Sequence, residues 1–167
     1  MISVNEKLAA LRKKMNKNGV QAYIIPSSDP HMSEYLPEHW EARSYFSGFN
    51  GSAGTLIVTE KESGLWTDGR YFIQAANQLS KSEIVLYKMG VRGTPTYTEF
   101  LYEKLHEGET VSFDGKLLSS FTVKKLRAVL EDKNIKIKAV DLIGDIWTNR
   151  PEIPASKVYV HDVKYTG

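Results

Sequence analysis

Helical and strand patterns alternate along the chain from its first residues, and this alternation predicts an α/β fold: a three-layer α/β/α sandwich around a mixed sheet of roughly six strands. Two further observations support it. A pair of β-branched runs joined by a short polar turn reads as an antiparallel hairpin embedded among strands that helical segments separate. The length of 167 residues, 41% of them hydrophobic and none cysteine, suits one compact domain that folds without disulfides.

The elements follow in order. Ser3 and Glu6 form a capping box, Leu8, Leu11 and Met15 repeat at helical spacing, and Gly19 stops the first helix. Ala22 to Ile25 reads as a short buried strand ended by Pro26, and Ser27-Ser28-Asp29-Pro30 is loop chemistry. Between Glu38 and Phe46, Ala42, Tyr45 and Phe46 share a helical face with Trp40 nearby, so a short helix is expected. Residues 47–54, with Gly48, Gly51 and Gly54, form an irregular loop.

Thr55 to Thr59 and Leu65 to Thr67 make the hairpin around a turn from Glu60 to Gly64. Asp68 caps a helix from about Arg70 to Gln78 that buries Phe72, Ala75, Ala76 and Leu79, and Ile84 to Met89 supplies the next strand. Thr96 and Glu99 form a second capping box, opening a helix through Leu105 that stops at Gly108. Thr110 to Asp114 is a strand. Ser120 precedes a helix to about Lys133 with Val123, Leu126, Val129 and Leu130 inward, followed by a strand from Ile135 to Val140. A short helix around Leu142 to Trp147 comes next. Pro151 and Pro154 break the remainder, in which Lys157 to Val163 alternates weakly like a strand whose partner lies elsewhere. The expected organisation is a domain over residues 1–150 and an exit segment over 151–167.

Composition narrows the function. Without cysteine there is no thiolate metal site and no cysteine nucleophile. The longest apolar run, such as Ala22 to Ile25, is too short to span a bilayer. Glu6, Lys7, Arg12, Lys13 and Lys14 interrupt the N-terminal apolar pattern, which excludes a secretory h-region and makes the cytoplasm the expected location. The net charge of +2 is spread over interspersed lysines and acids. Lys124, Lys125, Arg127, Lys133, Lys136 and Lys138 fit a solvated helix face and an edge strand, and no nucleic-acid motif accompanies them.

Asp29, His31, Glu34, Glu38 and His39 are the densest group of metal-ligand residue types, but their spacing matches no ligand motif and Pro30 and Pro37 bracket them, so a solvated loop is expected. His106 and His161 stand alone. The loop Gly48-Phe49-Asn50-Gly51-Ser52-Ala53-Gly54 has the glycine density of a phosphate loop, yet it precedes a strand and lacks the lysine of a P-loop. Ser52 is no nucleophile elbow, because Asn50 stands two residues before it. Trp66-Thr67-Asp68-Gly69-Arg70-Tyr71-Phe72 is more informative. There a strand runs directly into a helix, and the C-terminal ends of strands are where α/β sheets place ligands. Asp68 suits an N-cap, whereas a cation in the first turn, Arg70, opposes the helix dipole. Two readings follow: an ion pair with Asp68 or another carboxylate, or a guanidinium presented to an anionic or carbonyl group of a ligand.

Taken together, Ala22-Tyr23-Ile24-Ile25-Pro26-Ser27, Ser33-Glu34-Tyr35, Ser47-Gly48-Phe49, Gly51-Ser52-Ala53-Gly54-Thr55, the Trp66 to Phe72 word and Asp145-Ile146-Trp147 resemble the N-terminal domain of long-form Xaa-Pro aminopeptidases, of the creatinase/prolidase superfamily. The similarity runs from about residue 5 to the closing Tyr165-Thr166-Gly167. The resemblance implies a parent of three domains, two similar α/β domains and a catalytic domain binding two divalent cations, commonly manganese. It implies cleavage before a penultimate proline and a homo-oligomeric parent. The family's metal ligands and catalytic histidines lie in its third domain, so none transfers here: no catalytic or metal residue is expected in this chain. One residue does transfer. Arg70 occupies the place of the arginine that reaches the substrate in the assembled active site, which implies a substrate-binding role for it. The expected partners are the parent's other two domains and a proline-containing peptide. The competing expectation is a purely structural or oligomerisation module, with exposed apolar area over Trp40, Tyr45 and Phe49 as its sign.

Overall fold

The computed structural model describes residues 2–166, with a six-stranded sheet in the order β4-β3-β2-β1-β5-β6. Its strands are β1 (Ala22–Pro26), β2 (Thr55–Thr59), β3 (Ser63–Thr67), β4 (Ile84–Lys88), β5 (Thr110–Phe113) and β6 (Lys136–Ala139). Five helices accompany them: α1 (Val4–Lys17), α2 (Ala42–Ser47), α3 (Phe72–Leu79), α4 (Tyr97–Lys104) and α5 (Ser120–Leu130). β2 is antiparallel to both β1 and β3, while β3–β4, β1–β5 and β5–β6 are parallel, so the sheet is mixed as its hairpin predicts.

Side chains alternate across the strands, and the alternation builds two cores. Tyr23, Ile25, Leu56, Val58 and Leu65 face α1, α2 and α3, where they meet Leu8, Leu11, Met15, Phe46, Ala75 and Leu79. Ala22, Ile24, Ile57, Trp66, Val111 and Phe113 face α4 and α5, where they meet Phe100, Leu101, Leu126 and Leu130. Connectivity explains which helix covers which face. Right-handed crossovers are strongly favoured, and the step from β3 to β4 runs across the sheet in the opposite sense to the steps from β4 to β5 and from β5 to β6. The first crossover helix therefore lies on one face and the next two on the other.

Both capping boxes form: Ser3 and Glu6 at α1, Thr96 and Glu99 at α4. Ser119, one residue before the expected position, caps α5. Several expectations are corrected. The helix expected over 38–46 is a 3-10 turn at Glu38–Trp40 followed by α2, and the one expected from Arg70 begins as a 3-10 turn over Gly69–Tyr71. In the inward stripes, Ala76 is exposed, Phe72 is half-buried and Val129 is 37% exposed, because α3 and α5 each lie on one narrow apolar line.

β3 begins at Ser63, so Gly64 lies in the strand and not in the turn. Residues 142–147 form turns, not a helix. Asp141 Oδ1 accepts the amides of Ile143 and Gly144 at 2.8 and 3.3 Å, while the Tyr23 hydroxyl donates to the Val140 carbonyl and accepts the Leu142 amide. Asp141 thus bonds the amides that an N-cap would, but only a single turn follows, closed by the Trp147 amide on the Ile143 carbonyl at 3.0 Å, and Leu142, Ile143 and Trp147 are buried without a full helix. Lys157 to Val163 pairs with no strand among the described residues, which leaves Val158, Tyr159 and Val160 exposed.

Candidate functional site

Because only β2 runs against the others, the C-terminal ends of β1, β3, β4, β5 and β6 share one edge of the sheet. The glycine loop enters β2 at this same edge, with Thr55 paired to both Pro26 and Trp66. Topology therefore brings the loop of residues 48–54 beside the Asp68-Gly69-Arg70-Tyr71 turn.

Asp68 organises the turn. Its Oδ1 accepts the Arg70 amide at 3.1 Å, and its two oxygens receive Nε and Nη2 of the Arg70 guanidinium at 2.9 Å each. The same carboxylate thus caps a backbone turn and clamps a side chain. The bidentate pair holds the Asp68 carboxyl down to about 2, chiefly through the guanidinium hydrogen bond. It raises the already high pKa of Arg70 through the same contact. The intradomain ion pair considered from the sequence is therefore present, and the Arg70 side chain remains 68% exposed. Of the five N–H donors of a guanidinium, Asp68 takes two, and no other acceptor among the described residues meets the rest.

Polar contacts join the turn to the loop. Ser52 Oγ and the Tyr71 hydroxyl lie 2.6 Å apart. Asn50 Oδ1 accepts from Gln74 Nε2 at 2.8 Å and from Gln78 Nε2 at 2.7 Å. The Phe49 and Tyr71 rings meet edge to face at 5.8 Å, and a Cβ at Gly51 would stand within 2.3–2.8 Å of those two rings, so glycine is required there by close approach.

Arg43, which the sequence reading passed over, shapes this loop. It is 2% exposed, donates to the carbonyls of Phe49 and Gly51 and to Ser27 Oγ, and lies over the Phe49 ring. It forms no salt bridge among the described residues, and burial pushes its pKa down to about 10. Carbonyl oxygens of the loop thus point at a cation, the reverse of a phosphate cradle, which turns amides inward. The signal available in the sequence was an arginine on a short apolar helix that leads directly into a glycine-rich loop.

The other candidates disperse. Asp29 is buried, with Oδ1 accepting the amides of His31 and Ser33, which lowers its pKa against the opposing effect of burial. His39 Nδ1 lies 2.6 Å from the Pro151 carbonyl oxygen, while His31 and Glu34 are exposed. No three His, Cys, Asp or Glu side chains among the described residues are grouped so as to hold a metal ion. His106 and His161 are exposed, as are Lys124, Lys125 and Arg127 on α5 and Lys136 and Lys138 on the edge strand β6. The apolar area that would mark a purely structural or oligomerisation module is not exposed at these residues: Trp40 and Phe49 are buried, and Tyr45 stacks on Trp147 with centroids 4.6 Å apart.

Comparison with known proteins agrees with the fold. The Creatinase/Prolidase N-terminal domain model matches residues 7–150. Aminopeptidase P2 of Arabidopsis thaliana is 41% identical over 99% of this chain, and the probable Xaa-Pro aminopeptidase P of Talaromyces stipitatus is 38% identical over the same share. The chain spans only 24% and 26% of those relatives. Among solved structures, the X-prolyl aminopeptidase of Caenorhabditis elegans, described as a cytosolic enzyme with a di-nuclear active site, superposes with a TM-score of 0.91 at 33% identity, covering 99% of this chain and 29% of that one. The N-terminal domain of the cytoplasmic peptidase PepQ of Mycobacterium tuberculosis gives 0.63 at 25% identity, covering 85% of this chain and 98% of its own. With the mixed sheet, its two helical faces and the matched span all in agreement, the chain belongs to the creatinase/prolidase N-terminal domain family.

Proposed function

We propose that this chain is the noncatalytic N-terminal domain of a cytoplasmic Xaa-Pro aminopeptidase, and that Arg70 supplies substrate contact in the assembled enzyme. The parent releases the N-terminal residue of peptides with a penultimate proline, using two divalent cations, manganese in this reading, held by a catalytic domain outside this chain. The observation that carries the proposal is the match of 99% of the chain to about a quarter of Xaa-Pro aminopeptidase relatives. Residues 151–167 then lead towards the second domain, which with the catalytic domain and further copies of the parent makes up the assembly.

Arg70 suits recognition rather than chemistry. An arginine stays protonated throughout the working pH range and cannot activate water, whereas its planar fork matches carbonyl and carboxylate oxygens. A second reading makes the domain an assembly module with Arg70 as a surface ion pair, and the contact with Asp68 favours it. Two assays test the proposal, and the second separates it from the other reading. The purified 167-residue chain, supplied with manganese and an Xaa-Pro peptide, is expected to release no amino acid, and release that tracks the purified chain would overturn the noncatalytic assignment. In the full-length protein, Arg70→Ala with normal turnover and normal stability would return Arg70 to the ion pair.

A further inference from the structure

We infer that Asp68 is a positioning residue for recognition, fixing the Arg70 guanidinium side-on so that its outer edge faces a peptide oxygen; the inference rests on the proposed role of Arg70.

The two sequence readings of Arg70, ion pair or ligand contact, exclude one another only if the pair uses the whole guanidinium. It does not. Asp68 engages the Nε and Nη2 side at 2.9 Å on each arm, leaving both hydrogens of Nη1 and the outward hydrogen of Nη2 directed away from the carboxylate. These three donors meet no acceptor among the described residues, and the side chain is 68% exposed. A free arginine side chain has many rotamers, and ordering it at the moment of binding weakens affinity. A side chain already clamped to a carboxylate that is itself fixed as a turn cap loses less on binding.

The cap is made by Oδ1, which accepts the Arg70 amide, so the carboxylate is tied to the backbone that carries the guanidinium. The Arg70 guanidinium also lies 5.2 Å from the centroid of the Tyr71 ring, and Tyr71 is held by Phe49 and Ser52. Together these contacts fix both the position and the plane of the fork.

The test uses the full-length protein with an Xaa-Pro peptide and compares wild type, Asp68→Asn, Arg70→Ala and the double variant. Asparagine keeps the cap acceptor but removes the charge and the second anionic oxygen. The expected result for Asp68→Asn is a KM raised roughly five- to twentyfold with kcat nearly unchanged, since the side chain must then be ordered on binding while the chemistry is intact. The double variant is expected to match Arg70→Ala, because Asp68 acts only through Arg70. An Asp68→Asn enzyme with wild-type KM, beside an impaired Arg70→Ala enzyme, overturns the positioning role and leaves Arg70 standing. An Arg70→Ala enzyme with wild-type kcat/KM overturns the role of Arg70 and this inference with it. The 167-residue chain gives an independent readout: the Arg70 Nε–H resonance is expected to be protected from water exchange, and to lose that protection in Asp68→Asn. Absence of protection in the wild type would also sink the clamp.

Discussion

Arg43 and Arg70 stand on the same edge of the sheet and do opposite work. Arg43 is buried among neutral oxygens and holds the glycine loop shut; Arg70 is exposed and held by a carboxylate. Replacing Arg43 with methionine would leave two buried carbonyls and a hydroxyl without their donor, at about 1–3 kcal/mol for each group left unsatisfied. We expect Arg43→Met to lose about 3 kcal/mol or more in urea unfolding and to speed amide exchange in residues 49–54. Arg43→Lys should not restore either property, because a single ammonium cannot span three acceptors arranged for a fork. Asp68 makes a prediction of the opposite polarity. Its folded pKa of about 2 lies below the usual aspartate value of about 3.9, so the pair contributes stability above that value and loses it as pH falls towards 2. A carbon-13 titration should place its midpoint near 2, and Arg70→Ala should move it up towards the ordinary value; an unshifted midpoint would show that the pair does not persist in solution.

At the scale of elements, Gly64 illustrates how a strong local signal misleads. Glycine beside polar residues reads as a turn, yet Gly64 sits within β3, opposite Ile57 and Val85. Its missing side chain makes room for Trp66 and Tyr87, which stack across the β3–β4 pair at 4.1 Å and 3° between planes. A Cβ at Gly64 would lie 2.6–2.8 Å from those rings. Gly64→Ala should therefore cost about 1–3 kcal/mol, as overpacking does, with altered Trp fluorescence, and an unchanged denaturation midpoint would refute the packing role. The strands, both capping boxes and most of the helices were legible because their signals are local: alternation, spacing and caps. The turns at 142–147 were not, because Ile143 and Trp147 sit at helical spacing and Asp141 bonds the next amides as an N-cap does, yet only one turn closes, from the Trp147 amide to the Ile143 carbonyl, and no local signal marks that it stops there. Asp68 and Arg70 were visible as neighbours in one word of sequence. Arg43 was missed, because its acceptors are carbonyls that leave no trace in residue identity.

Across the whole molecule, the sheet works as a platform whose one polar edge gathers the ends of five strands, the glycine loop and the Asp68–Arg70 turn. The opposite assignment of helices to its two faces follows from the direction of each crossover. After Arg150, whose Nε donates to the His39 carbonyl at 2.7 Å, residues 152–166 lie along the exterior with Val158, Tyr159 and Val160 uncovered. In the proposed parent these residues lead towards the next domain, and the clamped guanidinium meets the peptide that another domain cleaves. The most direct test is kcat/KM for an Xaa-Pro peptide in the full-length enzyme with Arg70→Ala, alongside the thermal midpoint of the same preparation. A fall of roughly tenfold or more at an unchanged midpoint is the predicted result for a lost recognition contact, and an unchanged kcat/KM at an unchanged midpoint would contradict the account.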